Sequence, residues 1–161
     1  MKVGVTGHRN FEDVSAAPWV AERIHNRLSD CRELYGLTSL AKGSDQIFAR
    51  VVLQLGGSLE AVLPFPEYAN TFQDSAESAG FDELIGRCSK VTQLDFAGSK
   101  EQSYFAAGRS VVDHSELLIA VWDGKPAAGL GGTGDVVAFA LRNGKQVHQI
   151  DPVSRTVGEL A

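Results

Sequence analysis

Short apolar or β-branched runs alternate with longer segments of helical period from one end of the chain to the other, which is the pattern of βα units closing a mostly parallel sheet. The runs that read as strands are Lys2–Thr6, ended by Gly7; Leu34–Leu40; Leu59–Leu63, ended by Pro64; a weaker Lys90–Leu94; Leu117–Trp122; and Gln146–Ile150. The segment LLIAVW has no polar break and predicts a central strand covered on both faces. Between these runs, Trp19–Ser29 places Val20, Ile24 and Leu28 at intervals of four, and Gln46–Leu55 puts Phe48, Val51, Val52 and Leu55 on one stripe, so both predict helices packed on the sheet. Gln102–Asp113 and Asp135–Arg142 repeat the pattern, the second stopped by Asn143-Gly144. Pro64–Arg87 reads as an irregular crossover with one or two short helices and is a candidate lid. The expectation is an α/β fold: a three-layer Rossmann-like sandwich with a mostly parallel sheet of about six strands, strand one central, in one domain over residues 1–161.

Composition narrows the functional classes. Of 161 residues 43% are hydrophobic, enough for a proper core and against disorder. Fifteen Lys+Arg against twenty Asp+Glu leave a formal charge of -5, so no global positive field gathers phosphates, general nucleic-acid binding is not expected, and a local basic pocket stays open. Cys31 and Cys88 show neither zinc-ligand spacing nor a disulfide framework and read as reduced thiols. The start MKVGVTGHRN has no apolar signal stretch, and no run reaches the roughly 18 to 20 apolar residues of a membrane span. A soluble cytoplasmic protein is expected, with no metal site, no cofactor and no membrane partner.

Ligands of open parallel sheets bind beyond the carboxyl ends of the strands, and the loops there are Gly7-His8-Arg9-Asn10, Ala41-Lys42-Gly43-Ser44-Asp45, Pro64–Tyr68, and Asp123-Gly124-Lys125 followed by Gly129–Asp135. Four glycines lie among the six residues 129–134, just before a helix. Backbone N–H groups exposed there favour an anion, a phosphate above all; the plainer reading is a flexible surface loop capped by Thr133. As a dinucleotide fingerprint the segment is weak, since it starts well after its strand. Asp135, in the first helical turn, either points aside or accepts hydroxyl hydrogen bonds from a sugar. Ser44 and Asp45 pose the same choice, with simple capping by Ser44 as the plainer answer. His8 and Arg9 reach the same edge, where arginine offers a planar fork for phosphate or carboxylate. Arg109 and Asp113, four apart on a helix, read equally as a surface pair. Trp122 and the PFPEY aromatics read as packing. No Walker, HExxH or GxSxG sequence is present.

Three segments together resemble the SLOG superfamily, the Rossmann-like group that includes the DNA-processing protein Smf/DprA and the LONELY GUY phosphoribohydrolases. VGVTGHRNF is similar to its opening strand and glycine turn; SLAKGSDQIFARVVLQLGGSLEAVLPF resembles the Smf-type stretch in which a Gly-x-Asp turn opens a helix. GRSVVDHSELLIAVWDG, followed by GGTGDVVAFA, resembles the phosphoribohydrolase stretch of arginine helix, central strand and glycine-rich helix start. The resemblance implies that Arg109 stands at the catalytic arginine and that Gly131, Gly132 and Gly134 are phosphate-binding glycines. It departs at Asp135, where hydrolases carry Thr, and at Ala138, where they carry the catalytic acid. About seven extra residues, Lys125, Pro126 and Gly129 among them, separate strand from glycines. The expectation is a module, sensor or accessory, that binds a nucleotide or nucleotide derivative, ADP-ribose-like or a nucleoside monophosphate. The candidate ligand residues are Gly7, His8, Arg9, Gly43, Ser44, Asp45, Asp123, Gly131, Gly132, Thr133 and Gly134. The alternatives are an N-glycosidase of nucleoside monophosphates, with Arg109 as catalytic arginine and Asp135 or Asp45 in place of the missing carboxylate, and a Smf-like nucleic-acid-associated module. Resemblance to the phosphoribohydrolases also implies a homodimer.

Overall fold

The computed structural model describes every residue, Met1–Ala161. Seven strands form one sheet: β1 (Lys2–Gly7), β2 (Tyr35–Thr38), β3 (Ser58–Leu63), β4 (Lys90–Gln93), β5 (Leu117–Val121), β6 (Gln146–Asp151) and β7 (Thr156–Leu160), in the order β4-β3-β2-β1-β5-β6-β7. The first six are parallel, and β7 pairs antiparallel with β6. As expected, β1 is central; its neighbours are β2 and β5, with Val3 opposite Leu117 and Gly7 opposite Val121. The fold is therefore the expected α/β sandwich with one strand more than the sequence pattern predicts. Thr156–Leu160 carries a glycine in its middle and is almost wholly exposed, so it presents no apolar alternation to read; the hairpin from β6 recruits it to the sheet edge.

Five helices cover the faces: α1 (Ala16–Leu28), α2 (Ser44–Gln54), α3 (Ser75–Ile85), α4 (Lys100–Asp113) and α5 (Thr133–Arg142). Side chains alternate across a strand, and β5 shows the result. Leu117, Ile119 and Val121 join the core under α1, α2 and α3, with Val20, Ile24, Phe48, Val52 and Leu84, whereas Leu118 and Ala120 join the core under α4 and α5, with Val111, Val112, Val136 and Val137. All five residues of β5 are buried, as a strand covered on both faces requires. Pro64–Arg87 contains a short 3-10 turn, Tyr68–Thr71, and then α3. Phe81 and Leu84 of α3 are buried, and Lys42–Glu77 (2.9 Å) and Arg50–Glu83 (3.0 Å) pairs tie the helix to α2 and its leading loop. The segment is packed on the body of the fold, and its Tyr68 forms part of the cleft wall. No helix is long and apolar enough to cross a membrane.

The topology locates the crevice. After β1 the chain turns onto one face as α1, and after the adjacent β5 it turns onto the other as α5. The two connections part at the carboxyl ends of β1 and β5, the switch point at which doubly wound sheets hold ligands.

Candidate binding cleft

A cleft of about 590 Å³ lies at that switch point, within the size range of small-molecule sites. Its lining includes Gly7, His8 and Arg9 after β1, Asp45 of α2, Tyr68 from the crossover, Tyr104 and Gly108 of α4, Asp123 after β5, and the run Lys125–Gly134. The backbone N–H of His8 donates to the Val121 carbonyl (3.1 Å) and continues the β1–β5 pairing one residue beyond the strands. Its ring Nε2 lies 3.2 Å from the backbone N–H of Asp123, from which it accepts when unprotonated, and 3.4 Å from Asp123 Oδ1, with which it pairs when protonated. Burial raises the Asp123 carboxyl. The Lys125 N–H (3.1 Å) and the charges of His8 and Lys125 outweigh that, so Asp123 is held below the usual carboxylate range. The Arg9 guanidinium lies over the Tyr104 ring, 4.9 Å from its centroid, within the distance of a cation–π contact.

The start of α2 is closed. Gly43 has φ +79°, and a Cβ there would meet the Arg9 carbonyl oxygen at 2.4 Å, so only glycine fits. Gly43 is the N-cap. Ser44, expected as the cap, is instead the first helical residue: it is fully buried, and its backbone N–H (3.1 Å) and its Oγ (2.7 Å) both donate to the His8 carbonyl. A side chain at Gly7 would collide with Ser44 in turn. Asp45 faces the cleft as expected but is only 7% exposed. Its Oδ2 accepts from Thr38 Oγ1 and from the Ser39 N–H, both at 3.0 Å. Burial pushes its carboxyl up to about 6, against these donors and the nearby charge of Arg9.

The start of α5 is open. Gly132 is its N-cap, and Thr133 caps nothing, contrary to the plainer sequence reading. The Gly131 N–H donates to Asp135 Oδ2 (2.9 Å), while the N–H groups of Gly132, Thr133 and Gly134 find no acceptor within the chain. All three residues line the cleft. The glycines also admit the extra segment after β5, since a Cβ on Gly132 would meet Ala127 Cβ at 2.7 Å and one on Gly134 would meet the Ala127 nitrogen at 3.0 Å. Glycine is needed here for close backbone packing as well as for any ligand.

Two candidate catalytic residues lie elsewhere. Arg109 is exposed, with its guanidinium 5.0 Å from the Phe139 ring centroid and 6.0 Å from that of Phe105, and it is not part of the cleft lining. Tyr104, Ala107, Gly108 and Val111 form the cleft-facing stripe of α4 at spacings of three and four, and Arg109 falls off that stripe. Asp135 is likewise absent from the lining, its carboxylate turned back to Gly131. The sequence reading places Tyr68 in a strand-end loop but takes it for packing, and it misses Tyr104, which the helical phase of its small-residue stripe makes legible.

Solved structures share this architecture. DprA from Streptococcus pneumoniae superposes with a TM-score of 0.67 at 24% identity, over 93% of this chain and 50% of that one. What the two share is the fold, a Rossmann-like α/β sandwich. DprA from Helicobacter pylori, described for its single-stranded DNA binding mode, gives 0.67 at 17% identity, over 94% and 65%. The molybdenum cofactor binding protein of Rippkaea orientalis gives 0.58 at 19% identity, over 92% and 74%. The chain thus spans half of the pneumococcal protein. No family model and no curated protein matches it in sequence, so the likeness is one of fold. That a protein of this fold binds single-stranded DNA limits the charge argument: a formal charge of -5 describes the whole surface, not the local field of a cleft.

Proposed function

We propose that the chain binds a nucleotide or nucleotide derivative in the switch-point cleft, with a phosphate seated on the start of α5. The observation that carries this reading is the set of three N–H groups, Gly132 to Gly134, that make no hydrogen bond within the chain and line a cleft whose one lining arginine is Arg9. Backbone donors at a helix start complement a phosphate, and Arg9 supplies charge. The structural neighbours' ligands, single-stranded DNA and the molybdenum cofactor, both contain phosphate, which supports the same assignment. Of the residues the hydrolytic alternative needs, only Asp45 lines the cleft, with its Oδ2 already held by Thr38 and Ser39; Arg109 and Asp135 are absent from the lining and residue 138 is alanine, so binding is the reading we favour. A cytoplasmic location, in keeping with the free Cys31 and Cys88, and a homodimer belong to the same proposal; a monomeric mass at high concentration in sedimentation would refute the dimer.

Thr133→Pro tests the phosphate seat. The substitution removes one of the three donors and no internal hydrogen bond. Proline is tolerated at the first helical position, and Gly132, at φ -70° and ψ 171°, already has the extended conformation that a residue before proline adopts. Stability should stay within about 0.5 kcal/mol of wild type. Affinity for AMP or ADP-ribose should fall at least about tenfold, since a hydrogen bond to a charged group contributes about 1.5–3 kcal/mol. Calorimetric titration showing wild-type affinity in this variant would remove the assignment.

A further inference from the structure

The glycine loop occupies one part of the cleft wall, and Tyr68 belongs to another. Tyr68 is only 3% exposed, lines the cleft, and has a hydroxyl with no hydrogen-bond partner in the chain. The only polar side-chain atom in the molecule that is both sealed and unpartnered is Arg23 Nε, so the Tyr68 oxygen keeps an opening. Buried hydroxyls are almost always satisfied, and here the partner must come from within the cleft. Burial, reinforced by the charge of Asp45, raises the Tyr68 phenol well above its ordinary value, so it remains an O–H donor. The charge of Arg9 acts in the opposite direction and is outweighed.

The surroundings are flat and apolar with polar edges. The Tyr68 ring meets Phe65 (5.9 Å between centroids) and Tyr104 (6.4 Å) edge-on, and Tyr104 also packs on Phe65 at 5.8 Å. The Arg9 guanidinium over Tyr104 is itself a planar group rich in N–H, so that ring face accepts a flat polar π system. Asp45 offers an acceptor and disfavours a second phosphate, while Tyr68 offers a donor. Together they complement a ring edge that carries both an N–H and an acceptor atom.

We propose that Tyr68, Asp45 and Tyr104 form a subsite for a planar nitrogen heterocycle of the nucleobase class. The heterocycle stacks on Tyr104 in place of the Arg9 guanidinium and hydrogen-bonds by its edge to Tyr68 and Asp45. Arg9, released from the ring, turns to the phosphate. This subsite rests on the reading of the α5 start as a phosphate seat.

The test titrates wild type, Tyr68→Phe and Tyr104→Leu by calorimetry with inorganic phosphate, ribose 5-phosphate, AMP, GMP, CMP and UMP. At least one nucleotide should bind wild type about tenfold or more tighter than ribose 5-phosphate, the combined effect of one ring stack and one buried hydrogen bond. Tyr68→Phe keeps the buried ring and breaks no internal hydrogen bond. It should therefore hold the wild-type melting temperature and ribose 5-phosphate affinity while reducing the nucleotide preference severalfold. Tyr104→Leu should reduce the same preference and bind ribose 5-phosphate at least as tightly, its Arg9 no longer held on a ring. Equal wild-type binding of ribose 5-phosphate and all four nucleotides, or an unchanged preference in Tyr68→Phe, would overturn the subsite and leave the phosphate seat standing. Failure of every phosphate-bearing probe to bind would overturn both.

Discussion

At the start of α2 the chain reads Gly43-Ser44-Asp45, and at the start of α5 it reads Gly132-Thr133-Gly134-Asp135. Both place glycine, a hydroxyl and an acid at the carboxyl edge of the sheet, and both acids accept a backbone N–H from the loop that precedes them, Ser39 for Asp45 and Gly131 for Asp135. The tertiary setting then separates them. Next to α2 runs the chain leaving β1, and the His8 carbonyl takes both donors of Ser44, so this helix start is a joint between β1 and β2. Beside α5 no hydrogen bond within the chain takes the N–H groups of residues 132 to 134, which line the cleft. A helix start is a ligand seat only when the fold leaves its donors unclaimed, whatever its letters.

The largest expected effect breaks the joint. Gly43→Ala forces a side chain into the left-handed region and against the Arg9 carbonyl oxygen, so unfolding should require about 2–5 kcal/mol less, the sum of the conformational and overpacking costs. Denaturant melts check this, and wild-type stability would show that the two helix starts are equally tolerant. No comparable loss is expected from Gly129→Ala, whose added Cβ meets nothing within 4 Å and whose φ is not in the left-handed region.

Next comes a pH effect confined to α2. The Asp45 carboxyl titrates at about 6 in the folded protein against 3.8 for an ordinary aspartate. Between these values the folded state binds the extra proton, so stability contributed at Asp45 falls as pH rises from 4 to 6 and is regained on acidification. The difference amounts to about 3 kcal/mol. Asp123, by contrast, is held below the usual range, and its contribution is lost as pH falls through its folded value. Melts of wild type and Asp45→Asn between pH 4 and pH 7 isolate the first slope, which should vanish in the variant. A variant that keeps it would assign the slope to other groups.

How far the sequence reveals this arrangement depends on the kind of information each feature uses. Strand β5 was legible because burial on both faces leaves five apolar residues in a row, and the helices α1 and α2 because their apolar stripes recur at helical period. The cleft itself was legible through the rule for strand ends, which selected Gly7 to Arg9, Asp45, Asp123 and the glycine loop before any contact was known. Strand β7 carries no such signal, because an exposed edge strand has no buried face to impose alternation. Arg109 followed from the family resemblance, and the helical phase set by Tyr104, Ala107 and Val111 turns it outward. Asp135 is turned by the Gly131 N–H four residues earlier, a helix-start contact whose letters fit a cleft-facing acid equally well.

The smallest expected effect sharpens the comparison most directly, since it changes one hydroxyl at each helix start. Ser44 Oγ is buried and donates to the His8 carbonyl at 2.7 Å. Ser44→Ala deletes that bond, but the same carbonyl still accepts the Ser44 N–H, so no orphaned acceptor remains and the cost should be about 1 kcal/mol. Thr133 makes no side-chain hydrogen bond and caps nothing, and alanine is the better helix former. Thr133→Ala should therefore lie within about 0.5 kcal/mol of wild type, in either direction. Because the Thr133 backbone N–H survives in this variant, AMP affinity should also survive, in contrast to the loss expected for Thr133→Pro. Equal destabilisation by the two alanine substitutions would mean that Thr133 caps α5 after all. An affinity loss in Thr133→Ala as large as in Thr133→Pro would move the ligand contact from the backbone to the hydroxyl.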